Sequence, residues 1–146
     1  MKAALPRLSL DLEPELSSAL KELAAAVARF GEANGLSDSQ VHNLSLALDE
    51  LATNTISYGF ADVDRQELRV ELRIEDDEIV AQLHDTGIPF NPFEEAAVPD
   101  IHATIDDRPI GGLGVFLTKT LFPNPDYERT DGFNRITLRA PVKGDS

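Results

Sequence analysis

The hydrophobic period of this chain switches near residue 60, and the switch fixes most of what it can fold into. Before that point Leu16, Leu20, Leu23, Val27 and Phe30 recur at helical spacing, as do Val41, Leu44, Leu48, Leu51 and Thr55. After it Leu68, Val70, Leu72 and Ile74 alternate with charged residues, and Ile79, Ala81 and Leu83 alternate in EIVAQLHD. Ahead of both helices, Leu8, Leu10 and Leu12 share one side of a strand. Strands with one apolar and one polar face suit an antiparallel sheet covered on one side only.

The punctuation agrees with these periods. Pro14 suits the first turn of a helix, and Asn34-Gly35 ends it. Ser37 and Gln40 form a capping-box pattern that starts the second helix, and Tyr58-Gly59-Phe60 closes it. Asp76-Asp77 suits the turn of a hairpin. Gly111-Gly112-Leu113-Gly114 opens a third helix carrying Val115, Phe116, Leu117, Thr120 and Leu121, and Pro123 stops it. Asp131-Gly132 marks a final hairpin between residues 127–130 and 133–140. The stretch 91–110 loses periodicity, contains Pro92, Pro99 and Pro109, and reads as a candidate lid. The order β, α, α, β, β, loop, α, β, β predicts an α+β two-layer sandwich: a largely antiparallel, mixed sheet with helices on one face, in one domain over residues 1–146.

Charge and composition exclude several functions. A net charge of −13 opposes nucleic-acid and anionic-membrane binding, which need a basic face. The chain has no Cys, which excludes disulfides and Cys-ligated metals and fits a cytoplasmic protein. No apolar run is long enough to span a bilayer, and residues 1–15 carry no signal-peptide pattern. His42, His84 and His102 lack metal-ligand spacing, and no Gly-x-Ser-x-Gly motif or Cys–His pair offers a covalent nucleophile.

Three short stretches carry the chemistry. Glu50 and Asn54 lie one helical turn apart on a stripe separate from the apolar one. Such a pair is more often a solvated face. It can also hold a hydroxyl or water on one side and hydrated Mg²⁺ on the other. Asp85-Thr86-Gly87, at the end of a strand, is a common turn signal. A buried carboxylate there would accept from the exocyclic amino group of adenine and repel a guanine carbonyl, and Gly87 would let the backbone approach the base. Gly111, Gly112 and Gly114 could be close packing at a turn, or could expose backbone N–H groups to phosphates at a helix start. No Walker A Lys-Ser/Thr follows them, and a loop rather than a Rossmann strand precedes them. Arg108 and Lys119 flank the segment as candidate phosphate partners, though a lone surface cation is the commoner case.

In this order, SLALDELATNTISYGF, DTGIPFNP and RPIGGLGVFL resemble the N, G1 and G2 boxes of the ATP-binding fold shared by histidine kinases, DNA gyrase, heat-shock chaperones and MutL. Within it the chain is most similar to the anti-sigma-factor serine/threonine kinases. The resemblance covers about residues 8–138 and departs from many N boxes in having Thr55, not Ala, after the Asn. It implies an ATP- and Mg²⁺-dependent protein serine/threonine kinase that phosphorylates a small antagonist protein in a bacterial partner-switching system. Glu50 would be the general base and Asn54 the Mg²⁺ ligand. Asp85 and Gly87 would hold adenine, and Gly111, Gly112, Leu113 and Gly114 the phosphates, with 91–110 as ATP lid. It also implies a homodimer and an anti-sigma-factor antagonist as partner, and leaves open a sigma factor as a second partner. Two rival readings are a non-catalytic ATP-gated binding module, against which Glu50 argues, and an ATPase with water as acceptor.

Overall fold

Both predicted hairpins form at their acidic turns, and between them they build most of the sheet. A computed structural model describes residues 7–95 and 112–142. The strands are β1 (Arg7–Leu12), β2 (Leu68–Glu75), β3 (Glu78–Asp85), β4 (Asp126–Thr130) and β5 (Phe133–Pro141). They form one five-stranded sheet in the order β1-β2-β3-β5-β4. Every neighbouring pair is antiparallel, so among the described residues the sheet has no parallel ladder. Asp76 and Asp77 turn β2 into β3 with φ of 52° and 61°, and Asp131 and Gly132 turn β4 into β5 with φ of 53° and 82°. Positive φ at both central residues matches the strand twist in a two-residue hairpin.

The helices follow their signals with small offsets. Helix α1 (Leu16–Ala33) begins after Pro14, because the Glu15 carboxylate caps it by accepting from the Ser17 and Ser18 N–H groups. Helix α2 (Asp38–Asn54) starts with the full capping box: Gln40 N–H donates to Ser37 Oγ at 3.1 Å, and Ser37 N–H to Gln40 Oε1 at 2.8 Å. It does not simply stop at Tyr58-Gly59-Phe60 but widens into a π-helical turn, Thr55–Gly59, with Phe60 N–H donating to Thr55 O. A short helix α3 (Pro92–Glu95) occupies the start of the aperiodic stretch. Helix α4 spans Gly112–Leu121.

One sheet face meets the helices. Leu8, Leu12, Leu68, Val70, Leu72, Ile79, Ala81, Leu83, Ile136 and Leu138 are buried against Leu23, Val27, Phe30, Leu44, Leu48 and Leu51. The other face is an ion-pair lattice, including Arg7–Glu71 at 2.7 Å, Arg69–Asp11 at 3.0 Å and Arg73–Glu75 at 2.6 Å. Among the described residues no helix is long and apolar enough to cross a membrane.

Candidate functional site

Asp85 ends the apolar phase of β3, where Ile79, Ala81 and Leu83 point to the core, so its carboxylate is carried inward. It is 4% exposed. Burial pushes its carboxyl above the ordinary aspartate range, against the bonds it receives from Asn134, Gly87 and Thr55. Those bonds divide its two oxygens. Oδ1 accepts from Asn134 Nδ2 at 2.9 Å and from the Gly87 N–H at 2.8 Å. Among the described residues, Oδ2 receives only a long bond, 3.4 Å, from the Thr55 hydroxyl. One oxygen is therefore saturated, and the other keeps acceptor capacity for a ligand donor.

Asn134 lies directly across the β3–β5 ladder from Asp85. Besides Asp85, its amide donates to Ile88 O at 2.9 Å, and its Oδ1 accepts from Tyr127 Oη at 2.5 Å. Tyr127 Oη in turn accepts from the Phe90 N–H at 3.2 Å, and Arg129 donates to Gly87 O at 2.7 Å. Residues 87–90 are thus pinned from β4 and β5. A Cβ on Gly87 would sit 2.8 Å from Gly59 O and 2.9 Å from Asp85 Oδ1, so only glycine passes here. The close approach that Gly87 permits in this structure is to the π-helical turn and to Asp85. That turn also presents Thr55 to Asp85, and π-bulges in helices concentrate at functional sites.

Glu50 and Asn54 lie side by side at the α4 end of α2. Asn54 is buried and Glu50 half-buried. Burial raises the Glu50 carboxyl above the ordinary glutamate range, and the amide of Asn54 partly offsets this. A carboxylate can take only a donor from Asn54, which leaves the amide's carbonyl oxygen for a cation. Oxygen donors of this kind fit Mg²⁺, which keeps several waters and phosphate oxygens and takes one or two protein ligands. Among the described residues no group of three or more His, Cys, Asp or Glu could hold a metal by itself. On the opposite wall, Gly112 opens α4 and Gly114 lies against the Glu50 carboxylate.

The structure therefore joins Asp85, Gly87, Asn54 and Thr55 at one end and Glu50 with Gly114 at the other. Leu113 lies in the first turn of α4. Gly111, Arg108 and residues 96–110 of the expected lid lie outside the described residues, and Lys119 is in the last turn of α4, away from its start. A cavity of about 20 Å³ separates Asn54 and Asp85 from Ile88, Phe90 and Pro92. That is room for a water, not a purine, so a base would have to displace this wall. A cavity of about 370 Å³ opens on the other sheet face, but its Arg69 and Arg135 are paired with Asp11 and Glu128, and no motif reaches it. The chemistry converges at the smaller one. Asn134, Tyr127 and Arg129 were not singled out from sequence. Asn134 had a signal: it shares the inward phase of Ile136 and Leu138, where a polar residue needs a partner.

Comparison with known proteins identifies the family and the fold. The family model described as a histidine kinase-like ATPase domain matches residues 12–140. The serine/threonine-protein kinase BtrW of Bordetella bronchiseptica is 30% identical over 95 residues, 65% of this chain and 66% of that protein. The serine-protein kinase RsbW of Listeria monocytogenes is 28% identical over 108 residues, 72% of this chain and 69% of that one. The anti-sigma F factor of Clostridium beijerinckii is 25% identical over 107 residues, covering 73% and 74%. The chain thus spans about two thirds of the length of the curated relatives it matches. The solved RsbU and RsbW domains of Rv1364c from Mycobacterium tuberculosis share the fold, with a TM-score of 0.65 at 17% identity over 93% of this chain and 32% of that one. So does the histidine kinase domain of the Erythrobacter litoralis EL346 blue-light activated kinase, with a TM-score of 0.54 at 13% identity over 87% and 61%.

Proposed function

The chain belongs to the histidine kinase-like ATPase domain family, and on that premise we propose that it is an ATP-dependent serine/threonine protein kinase of the anti-sigma type. The observation that carries this reading is the pairing of Glu50 and Asn54 on one stripe of α2, between buried Asp85 and the glycine-bearing start of α4. Relatives named as serine/threonine and serine-protein kinases support it.

Each residue has a definite task in this scheme. Asp85 Oδ2 accepts from the exocyclic amino group of adenine, while Asn134 and Gly87 hold the carboxylate through Oδ1. The backbone N–H groups of the first turn of α4 face the phosphates, where the helix dipole favours negative charge. Asn54 offers its carbonyl oxygen to Mg²⁺, which when bound offsets the charge that builds on the transferring phosphoryl group. Glu50 orients the acceptor hydroxyl and takes its proton. The hydroxyl oxygen bonds to the γ-phosphorus as the bond to the β–γ bridging oxygen breaks, and ADP leaves. A raised carboxyl makes Glu50 a stronger proton acceptor than an ordinary glutamate, which suits a base.

The substrate in this reading is a Ser or Thr on a small antagonist protein of a partner-switching system, and the working form is a cytoplasmic homodimer. A sigma factor is a further candidate partner. Labelled ATP incubated with the chain and candidate antagonist proteins tests the reading: phosphate should reach the antagonist, and Glu50→Gln should slow its transfer about 10²–10⁴-fold at nearly unchanged ATP affinity. Transfer by Glu50→Gln at the wild-type rate would refute the base assignment, and absence of any transfer by the wild-type chain would leave a nucleotide-gated binding module.

A further inference from the structure

Gly114 is the third residue of α4, and its missing side chain has a specific neighbour. A Cβ built there would fall inside the Glu50 carboxylate, overlapping Cδ and both oxygens. The Glu50 headgroup therefore rests directly on the backbone of the first turn of α4, in a gap that admits hydrogen and nothing larger. The wall on the α4 side is firm. The Thr118 hydroxyl donates to Gly114 O at 2.9 Å, Thr118 is 1% exposed, and neighbouring Val115 is buried. The root of α2 is equally fixed, since Ala47, Leu48 and Leu51 are buried around Glu50. Between these walls only the far end of the Glu50 side chain can move.

We propose that Gly114 is a positioning residue for Glu50: its bare backbone is the seat that holds the catalytic carboxylate in place, a task separate from any contact it makes with phosphate. The proposal rests on the general-base reading of Glu50. It follows that adding one methyl group at position 114 leaves the helix in place and evicts the carboxylate. A displacement of about 1 Å at a reacting group costs on the order of 10²-fold in rate.

Gly114→Ala is the test, read in four ways. Its melting curve should stay cooperative, because a flexible side chain absorbs the clash; a variant that no longer folds would overturn the proposal, since backbone would then have to move. Phosphoryl transfer should fall about 10- to 100-fold while calorimetric ATP affinity changes less than about threefold. Equal losses in both would assign Gly114 to nucleotide binding and refute the positioning role. In a Glu50→Gln background, Gly114→Ala should cost no more than about twofold further, as expected when two changes remove one interaction; full multiplication of the two losses would refute it. In a Glu50→Asp background, whose carboxylate stands one methylene back, the penalty for Gly114→Ala should shrink, and an undiminished penalty would count against the seat. A crystal structure of Gly114→Ala gives a readout that needs no activity. Glu50 Cδ should have left α4 even if the wild-type chain transfers phosphate to nothing, so failure of the kinase reading and failure of this proposal are distinguishable.

Discussion

Replacing Asn134 should damage stability and nucleotide binding together, because one amide serves the carboxylate, the loop and the last hairpin. In Asn134→Ala the buried Asp85 Oδ1 and Ile88 O each lose a 2.9 Å bond, and the Tyr127 Oη bond to Asn134 goes with them. A bond to a charged group is worth about 1.5–3 kcal/mol and a neutral one about 0.5–1.5. Gly87 N–H still reaches Asp85, so the loss is partial, and about 2–4 kcal/mol is expected. For a domain of this size that lowers the melting temperature by roughly 5–15 °C. Asn134→Asp separates hydrogen bonding from shape. It sets a second carboxylate against Asp85, so one of the two holds a proton well above the ordinary range. The folded pair then binds more protons than the unfolded chain, and its stability, fullest at low pH, is lost as pH rises through the raised value. Thermal melts across pH, with and without Mg²⁺–ATP, test both variants. If Asn134→Ala melts within about 2 °C of wild type, or Asn134→Asp tracks wild type at every pH, the network does not hold the site.

Nucleotide choice should follow Asp85: ATP should bind about 5- to 150-fold tighter than GTP, and Asp85→Asn should lose most of that margin by calorimetry. Equal affinities would remove Asp85 from the base-binding role. Acidification should weaken ATP binding, because the acceptor must be ionised; burial raises the Asp85 carboxyl, so affinity is complete above that raised value and falls as pH drops through it, starting above the ordinary aspartate range. An affinity flat down to the ordinary range would contradict the burial argument. Leu48→Ala, at a fully buried position on α2, should cost about 2–5 kcal/mol in denaturant titrations, and a cost under about 1 kcal/mol would mean that the α2–sheet core is misplaced.

Local signals with one backbone solution were legible in the sequence. The capping box at Ser37 and Gln40, the acidic hairpin turns and the alternating strands all form where their residues predict. Each is decided by neighbours within a few positions. The start of α1 was misplaced because Pro14 suits a first turn, yet the adjacent Glu15 carboxylate supplies the cap. The π-helical turn was not legible, since what holds it is distant: Ile88 N–H donates to Gly59 O, and Thr55 reaches Asp85. Gly87 was singled out for closeness to a base, while the neighbour that forbids a Cβ is Gly59 O, in a different element far back in the chain, a contact that no local pattern encodes. Asp85 was recognisable from its motif, but which of its oxygens stays free depends on Asn134 across the ladder. Register, not motif, divides the site.

The charge balance of the fold sets a last constraint on how the site can work. The chain carries −13, yet its proposed ligand is an anion. Among the described residues, Arg7, Arg65, Arg69, Arg73, Arg135 and Arg139 are all in ion pairs with carboxylates. Arg129 spends its guanidinium on Gly87 O. Among the described residues, the cavity beside Asn54 and Asp85 has no Lys or Arg in its lining. Two carboxylates that burial already holds above their ordinary range, Glu50 and Asp85, stand at the two ends of the site. Bringing phosphates beside them without a cation would add like-charge repulsion to desolvation. At the site itself, among the described residues, the first-turn N–H groups of α4 and the carbonyl oxygen of Asn54 are what stands against that repulsion. The first favours the anion directly, and the second can do so only through a bound cation. Nucleotide affinity should therefore depend on divalent cation far more than on any single basic side chain of the described fold.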